Sequence, residues 1–301
     1  MQVSGLTRGI VLMLAGCGLL TLNDAYMKIL VVELPIGQVL GIRALFALAV
    51  VFMLTPWVGG YARMRANRHS SVLLCSGMLV VNLILFPLSL RFMPLADAII
   101  LAYTSPIFVV ALAPMLLGEQ VNWKQWLAVL IGFFGACLVI KPGSGSFNWA
   151  VLLPVIVAVM VGLRDIVTRK IASSESALSI VAYTNLLTIL LGAVMIPLGW
   201  EALQPRHWML LAATGALFSV SQLMMVVAFR TVEATVLSTF KYSAILYAAL
   251  FGFWLWGDLL DRFALAGAVL IVISGLVIVH YRHKPLATGS EVLPRVARNE
   301  D

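Results

Sequence analysis

Charged residues are scarce in this sequence. Lysine, arginine, aspartate and glutamate together make up 11% of the 301 residues, whereas hydrophobic residues make up 62%. A soluble domain carries about 25% charged residues. Because a water-soluble core cannot hold so many apolar side chains, the composition excludes an ordinary soluble protein and indicates that lipid surrounds the chain.

Cysteine and histidine are also rare. The three cysteines, Cys17, Cys75 and Cys137, lie in apolar runs and form no CxxC pair, so they predict neither a disulfide framework nor a metal site. The four histidines lie at the ends of apolar runs or in loops, without further metal ligands beside them. We therefore expect no metal and no cofactor.

Catalytic and nucleotide-binding motifs are missing as well. The sequence contains no GxGxxG after a strand, no Walker loop, no HExxH and no GxSxG. An intramembrane enzyme or a sensor would need a reactive constellation or a soluble output domain, and neither is visible. The net charge of +7 comes from scattered basic residues, so nucleic acid is not a predicted partner. We predict that the chain is neither an enzyme nor an ATP-driven pump.

Long apolar runs are what the sequence has instead. They are continuous rather than alternating, and most approach the roughly 20 residues that a helix needs to cross a bilayer, so they predict membrane-spanning helices. We predict ten spans, near residues 8–31, 36–56, 71–92, 95–116, 124–140, 148–169, 177–198, 207–229, 234–256 and 263–281.

The basic residues predict the orientation of these spans. With the N-terminus in the cytoplasm, the cytoplasmic segments hold 12 lysines and arginines and the outside loops hold 4. Positive charge concentrates on the cytoplasmic side of membrane proteins. We therefore expect both termini in the cytoplasm, and a disordered tail over residues 285–301.

Polar residues recur in the two halves of the chain at nearly constant spacing. Five spans per half is an odd number, so the second half would enter the membrane inverted, which is typical of secondary transporters. The predicted units are an all-α five-helix repeat over residues 1–142 and an inverted five-helix repeat over 143–284. The matched pairs are Asp24/Asp165, Lys28/Arg169 and Pro56/Pro197 at 141 residues, Gly77/Gly215 and Ser105/Ser243 at 138, Arg91/Arg230 and Gly118/Gly257 at 139, and Gly135/Gly275 at 140.

The stretch Leu95-Ala-Asp-Ala-Ile…Tyr-Thr-Ser-Pro106…Leu-Leu-Gly-Glu119, with a weaker echo from Glu233 to Asp258, resembles the EamA-type branch of the drug/metabolite transporter superfamily. The resemblance covers residues 8–281. It implies a polytopic inner-membrane carrier with a central cavity between two halves. Ala244 stands where the first half has Pro106, so the resemblance predicts a helix break in the fourth span more firmly than in the ninth.

Ionisable residues inside the spans are the candidate working parts. Asp24 and Lys28 are four residues apart and share a helix face, and Arg164, Asp165 and Arg169 form the matching group in the second half. A buried ionisable pair in a span usually faces the bundle interior. One hypothesis is that the two groups close the outer and inner gates alternately. The alternative is that Lys28 and Arg169 extend to the headgroups and the aspartates pair with them.

Arg43 is the strongest candidate for substrate contact. It lies about a third of the way into the second span, where a guanidinium can bind a carboxylate or phosphate through two hydrogen bonds. The alternative is a structural pair with Asp24. Further polar residues that lie within spans are cavity candidates, among them Tyr26, Asn82, Asn185 and Tyr247. The predicted substrate contacts are Asn23, Asp24, Arg43, Tyr103, Tyr183, Gln222, Lys241 and Tyr242.

The sequence therefore predicts a secondary transporter for a small polar metabolite in the cell inner membrane. The span cations outnumber the span aspartates by two, which favours a substrate with an anionic group, such as an amino acid or its derivative, with export favoured by the resemblance. The alternative is uptake or exchange of a nucleoside-like or organic-cation metabolite held by Asp24 and Asp165. The expected partners are this substrate and the bilayer, with a coupling proton or a counter-substrate as a further candidate. The internal repeat lets a monomer form a complete pathway.

Overall fold

The computed structural model describes residues 2–58, 60–117, 122–140, 149–171, 176–231 and 240–281. All regular structure in these ranges is helical. Short 3₁₀ turns lie at Tyr61–Met64, Trp149–Val151 and Ile196–Leu198. The α-helices with both ends in the described ranges are α1 (Gln2–Glu33), α2 (Ile36–Val58), α3 (His69–Ser89), α4 (Leu95–Ala102), α5 (Ser105–Leu117), α6 (Trp123–Ile140), α7 (Leu152–Ile171), α8 (Ala177–Val194), α9 (Pro205–Thr231), α10 (Ser243–Trp256) and α11 (Arg262–His280).

Membrane-length apolar segments run through the described residues. Six are long and apolar enough to cross a bilayer, and four more are shorter apolar helices. Each of the ten predicted spans overlaps one of these segments, although the count of ten crossings stays a prediction. Large apolar side chains such as Met115, Phe133, Val194 and Leu246 are exposed on the outside of the bundle. An exterior of this kind suits lipid as the solvent.

The predicted fourth span is broken into α4 and α5 by a turn at Tyr103 and Thr104. The Thr104 hydroxyl donates to the Leu101 carbonyl at 2.7 Å, so this carbonyl keeps a partner near the interruption. Pro106 follows at the second position of α5, where a proline is tolerated because its missing N–H would have no helical partner. The predicted break is therefore present, two to three residues before the proline.

A second turn lies at Lys241 and Tyr242, immediately before α10. It is 138 residues after the first turn, the same spacing that separates Ser105 from Ser243. The turn forms although Ala244 replaces the proline, and the Ala244 amide donates to the Lys241 carbonyl at 3.1 Å. The break in the ninth span thus does not depend on a proline.

Contacts between the first and second halves of the chain hold the bundle together. Helix α1 packs on α9 and α10, α2 on α8 and α9, and α3 on α7 and α8. Helices α4 and α5 pack on α7, and α6 packs on α11. The polar residues of α1 and α2 are therefore enclosed by helices from the second half.

Glycines allow the closest of these helix contacts. Gly41 of α2 faces Gly192 of α8, where a Cβ built on Gly192 would lie 2.5 Å from the Gly41 Cα. Gly135 of α6 faces Gly267 of α11 in the same way. Small residues at helix interfaces let backbones approach in a membrane, where no hydrophobic force drives the helices together.

The contacts also define the two ends of the bundle. At the end we call the Glu33 end, Glu33 accepts from Arg206 at 3.3 Å, and Arg91 donates to the Leu34 carbonyl at 2.8 Å. At the opposite end, the His69 end, the Tyr183 hydroxyl lies 2.7 Å from His69 Nδ1. These ends give a depth scale for the polar residues inside.

Candidate functional site

The polar stretch of α1 lies inside the bundle. Asn23 is buried, Asp24 is half-buried, and the Asn23 amide donates to a carboxylate oxygen of Asp24 at 2.9 Å. Apolar neighbours on the same helix, Met27 and Leu30, pack into a core with α2. The carboxylate is thus held within the helix bundle rather than at its end.

Arg43 of α2 is almost completely enclosed. Its residue exposure is 2%, and its guanidinium lies over the ring of Phe218 from α9, with the Cζ atom 4.7 Å from the ring centroid. One terminal nitrogen donates to Asn23 Oδ1 at the long distance of 3.5 Å, and Nε has no hydrogen-bond partner. A guanidinium carries five donors, and here the buried Nε donor has no partner in the protein.

Asn23 lies between Arg43 and Asp24 and bonds to both. Opposite charges therefore face each other across an amide rather than in a tight pair. A buried ion pair needs good geometry and further hydrogen bonds to offset desolvation. The arrangement instead leaves a cation and an anion available on either side of a displaceable side chain.

Two tyrosines from the helix breaks complete the polar region. Their rings, Tyr103 and Tyr242, have centroids 6.0 Å apart, and Tyr103 is within electrostatic range of Asp24 and Cys17. Gly275 of α11 lies directly against the Tyr242 ring, so no side chain fits at this position. The breaks thus supply the aromatic residues next to the charged groups.

Four of these residues lie at similar depths from the Glu33 end. Arg43 is seven residues from the start of α2, Tyr103 is eight from the start of α4, and Asn23 and Asp24 are ten and nine from the end of α1. With a rise of about 1.5 Å per residue, all are roughly 10–15 Å inside the bundle. We call Asn23, Asp24, Arg43 and Tyr103 the polar layer.

Lys28 does not make the contact predicted for it. Its ammonium lies 3.5 Å from an Asp258 carboxylate oxygen and 4.4 Å from the centroid of the Trp256 ring. Trp256 ends α10, and the carbonyl groups at a helix C-terminus carry partial negative charge, which attracts a cation. The partner of Lys28 is therefore Asp258, across the bundle, rather than Asp24 one turn away.

The other predicted site residues lie in several places. Lys241 is half-buried at the second break and within electrostatic range of Cys17, and Gln222 is half-buried on α9. Tyr183 lies at the His69 end, away from the polar layer. Arg164 is half-buried on α7, while the side chains of Asp165 and Arg169 fall outside the described residues.

Two contacts of the candidate site residues do not follow from the sequence. Phe218 carries no signal of its own in the sequence, because it is one phenylalanine among many in apolar runs. Asp258 lies just beyond α10, and only its position against Lys28 shows that it joins two helices. A charged residue just beyond a predicted span is a signal that could have suggested this pair.

The apolar helices and the enclosed polar layer are those of a multi-pass membrane protein, and comparison with known proteins gives its class, a small-metabolite transporter. The model of the EamA-like transporter family matches residues 7–141 and again residues 148–280. The chain belongs to this family. The predicted resemblance is confirmed.

Curated relatives carry several substrates. The chain is 24% identical over 271 residues to the S-adenosylmethionine uptake transporter of Rickettsia prowazekii, covering 90% of this chain and 92% of the relative. It is 26% identical to the pseudopaline exporter CntI of Pseudomonas aeruginosa, covering 89% and 95%. It is 29% identical to the riboflavin transporter of Rhizobium johnstonii, covering 62% of each.

A solved structure described as "Crystal structure of protein" superimposes on the chain with a TM-score of 0.64. It is 19% identical, and the match covers 93% of this chain and 98% of the other. This likeness supports the fold alone.

Proposed function

We propose that the protein is a secondary transporter of the cell inner membrane that moves an amino acid or an amino-acid derivative by alternating access. The observation that carries this proposal is the burial of Arg43, which is 2% exposed, has no hydrogen-bond partner at Nε and makes only a long bond of 3.5 Å to Asn23 among the described residues. A guanidinium binds a carboxylate bidentately. A carboxylate on the substrate would supply the missing acceptors.

Asp24 extends this argument to the other end of an amino-acid head group. Its carboxylate is half-buried on the far side of Asn23 from Arg43. A substrate with an ammonium and a carboxylate on one carbon would place opposite charges against Asp24 and Arg43 when it displaces the Asn23 amide. The site therefore suits a zwitterion better than a simple carboxylate.

Alternating access would follow from two inverted five-helix halves. Helix contacts that occur in matched pairs support this arrangement: α1–α9 corresponds to α3–α7, α2–α9 to α3–α8, and α1–α10 to the contacts of α4 and α5 with α7. The two breaks spaced by 138 residues fit the same relation. Such symmetry lets a bundle exchange the roles of its two ends around a central site.

The gating residues are part of the proposal. Lys28 and Asp258 close the Glu33 end in the described conformation, with Trp256 beneath the ammonium. Arg164, Asp165 and Arg169 act at the other end, as the repeat predicts. We further propose that the Glu33 end faces outward, with both chain termini in the cytoplasm.

The relatives support two directions of transport, export and uptake, and two classes of substrate. S-adenosylmethionine is an amino-acid derivative, and one relative is named an exporter, which supports the amino-acid derivative and export. S-adenosylmethionine is also an adenosine-containing cation, and its transporter is named for uptake. Uptake of a nucleoside-like cation bound by Asp24 is therefore the second candidate function.

A ligand-dependent thermal shift tests the proposal on purified protein. A ligand that binds only the folded state raises its stability by mass action. Methionine, adenosine, S-adenosylmethionine and the organic cation choline are the probes. We expect methionine and S-adenosylmethionine to raise the melting temperature of the wild type, and Arg43→Met to lose both shifts.

Arg206→Gln is the matched control, because this arginine is exposed at the Glu33 end and lies outside the polar layer. It should keep both shifts. Shifts that survive in Arg43→Met and disappear in Asp24→Asn would support the cation alternative instead. No shift with either amino-acid probe in the wild type would reject the amino-acid proposal.

A further inference from the structure

Asn82 of α3 is a second buried polar side chain with unused bonding capacity. Its exposure is 8%, and neither its side-chain nitrogen nor its side-chain oxygen has a hydrogen-bond partner. A buried polar group without a partner costs about 1–3 kcal/mol. An amide that lacks partners at both atoms inside a helix bundle is therefore destabilising unless another state supplies them.

The surroundings of Asn82 place it in the interior of the bundle. It shares a helix face with Cys75, Phe86 and Ser89, since residues four and seven apart lie on one side of a helix. Cys75 and Ser89 are fully buried, and Phe86 packs on the central core that includes Leu95 and Ile100. The amide thus faces protein rather than lipid.

The next residue along α3 packs on helices of the polar layer. Leu83 packs on the core formed by α1 and α2, which contains Met27 and Ile42. Asn82 is seven residues from the Glu33 end of α3, and Arg43 is seven residues from the same end of α2. The two residues with unused donors therefore lie at equal depth on helices that pack together.

We infer that Asn82 is a specificity-determining residue that binds a neighbouring donor and acceptor on a planar heterocycle of the substrate. This inference rests on the proposed function, with Arg43 and Asp24 holding the amino-acid head group. An asparagine amide offers one acceptor and two donors. It pairs with two atoms at once on an adenine edge, which gives discrimination that an apolar contact does not.

The test compares three probes on the full-length protein: methionine has only the head group, adenosine only the heterocycle, and S-adenosylmethionine has both. Asn82→Leu keeps the approximate volume and removes the amide. We expect this variant to bind S-adenosylmethionine about tenfold to a hundredfold more weakly, as a lost bidentate base contact implies. Methionine affinity should stay within about twofold, because the head-group contacts are intact.

The stability of the ligand-free variants separates a binding role from a folding role. Asn82→Leu should melt at or above the wild-type temperature, since it removes two buried atoms that lack partners. Asn185→Leu is the matched control, because the Asn185 amide donates to the Val181 carbonyl at 3.0 Å. This control should melt at a lower temperature.

Three results would overturn the inference: unchanged S-adenosylmethionine affinity in Asn82→Leu, an equal loss of methionine and S-adenosylmethionine affinity, or a wild type that binds none of the probes. If methionine fails to bind but adenosine binds and requires Asn82, the amino-acid proposal fails and the role of Asn82 stands. If Arg43→Met loses methionine binding while Asn82→Leu binds adenosine and S-adenosylmethionine like the wild type, the amino-acid proposal stands and the role of Asn82 fails.

Discussion

The contact between Lys28 and Asp258 predicts that one neutralising substitution opens the Glu33 end. The two charged atoms are 3.5 Å apart, and the side chains are 13% and 34% exposed. At an effective dielectric constant of about 20, their gross attraction is about 5 kcal/mol. Desolvation and solvent screening at the partly exposed carboxylate make the net stabilisation smaller than this attraction. Two limits bracket it: exposed pairs contribute about 0–1 kcal/mol, and the loss of one partner of a buried pair costs about 3–5 kcal/mol.

We therefore expect Asp258→Asn to destabilise the closed arrangement by about 2 kcal/mol, between these two limits. A change of that size alters the ratio of closed to open molecules by a factor of about 30. The ring of Trp256 stays beneath the ammonium and retains part of the attraction. An increase in opening of about tenfold or more is the expected result.

Cys17 is a natural reporter for this opening. It is completely buried beside the second break, with its Sγ atom 4.0 Å from the Phe240 carbonyl. In a background with Cys75 and Cys137 replaced by serine, the rate of maleimide labelling should rise in Asp258→Asn. The charge reversal that combines Lys28→Asp with Asp258→Lys should return the rate toward that of the background protein.

The reasoning is wrong if Asp258→Asn labels at the background rate. It is also wrong if the two single substitutions and the double neutral variant show purely additive effects, since contacting partners must be coupled. A lower melting temperature without a change in labelling would mean that the pair stabilises the fold but does not restrict access.

Two glycine positions give further predictions about the site and the fold. Gly275→Ala should displace the Tyr242 ring and reduce both the melting temperature and the ligand-induced thermal shift. Adding Tyr242→Ala should restore the melting temperature in thermal unfolding assays. If it does not, the packing account is wrong. Gly192→Val should separate α8 from α2 and destabilise the protein by about 1–3 kcal/mol. Gly77→Ala, which meets no atom within 4 Å, is its control and should melt like the wild type.

The helical part of the fold was predictable because its cause is local in the sequence. Apolar runs of membrane length need no knowledge of their neighbours, and each predicted span overlaps an apolar helix. The break at Tyr103 and Thr104 was predictable from Pro106, although it lies two to three residues earlier. No proline follows the break at Lys241 and Tyr242, so only the internal repeat predicts it.

For the candidate site, the sequence predicts which residues lie deep in the spans but not which contacts they make. The depth of Arg43 follows from the sequence alone, because its place in the second span is about a third of the way along, where a guanidinium reaches the headgroups less easily. Its stacking on Phe218 and the pairing of Lys28 with Asp258 depend on how distant helices pack. Helix periodicity favoured Asp24 as the partner of Lys28, but contacts across 230 residues cannot be read from periodicity.

Flux through proteoliposomes tests the central claim most directly. Purified wild type and Arg43→Met would be reconstituted at equal density, and the movement of labelled methionine and S-adenosylmethionine would be followed, with Arg206→Gln as the control. Loss of one charge-assisted contact costs about 1.5–3 kcal/mol, so we predict at least tenfold slower flux of both compounds at low substrate concentration in Arg43→Met and normal flux in the control. Wild-type flux in Arg43→Met would contradict the account, because the substrate would then cross the bundle without the buried guanidinium.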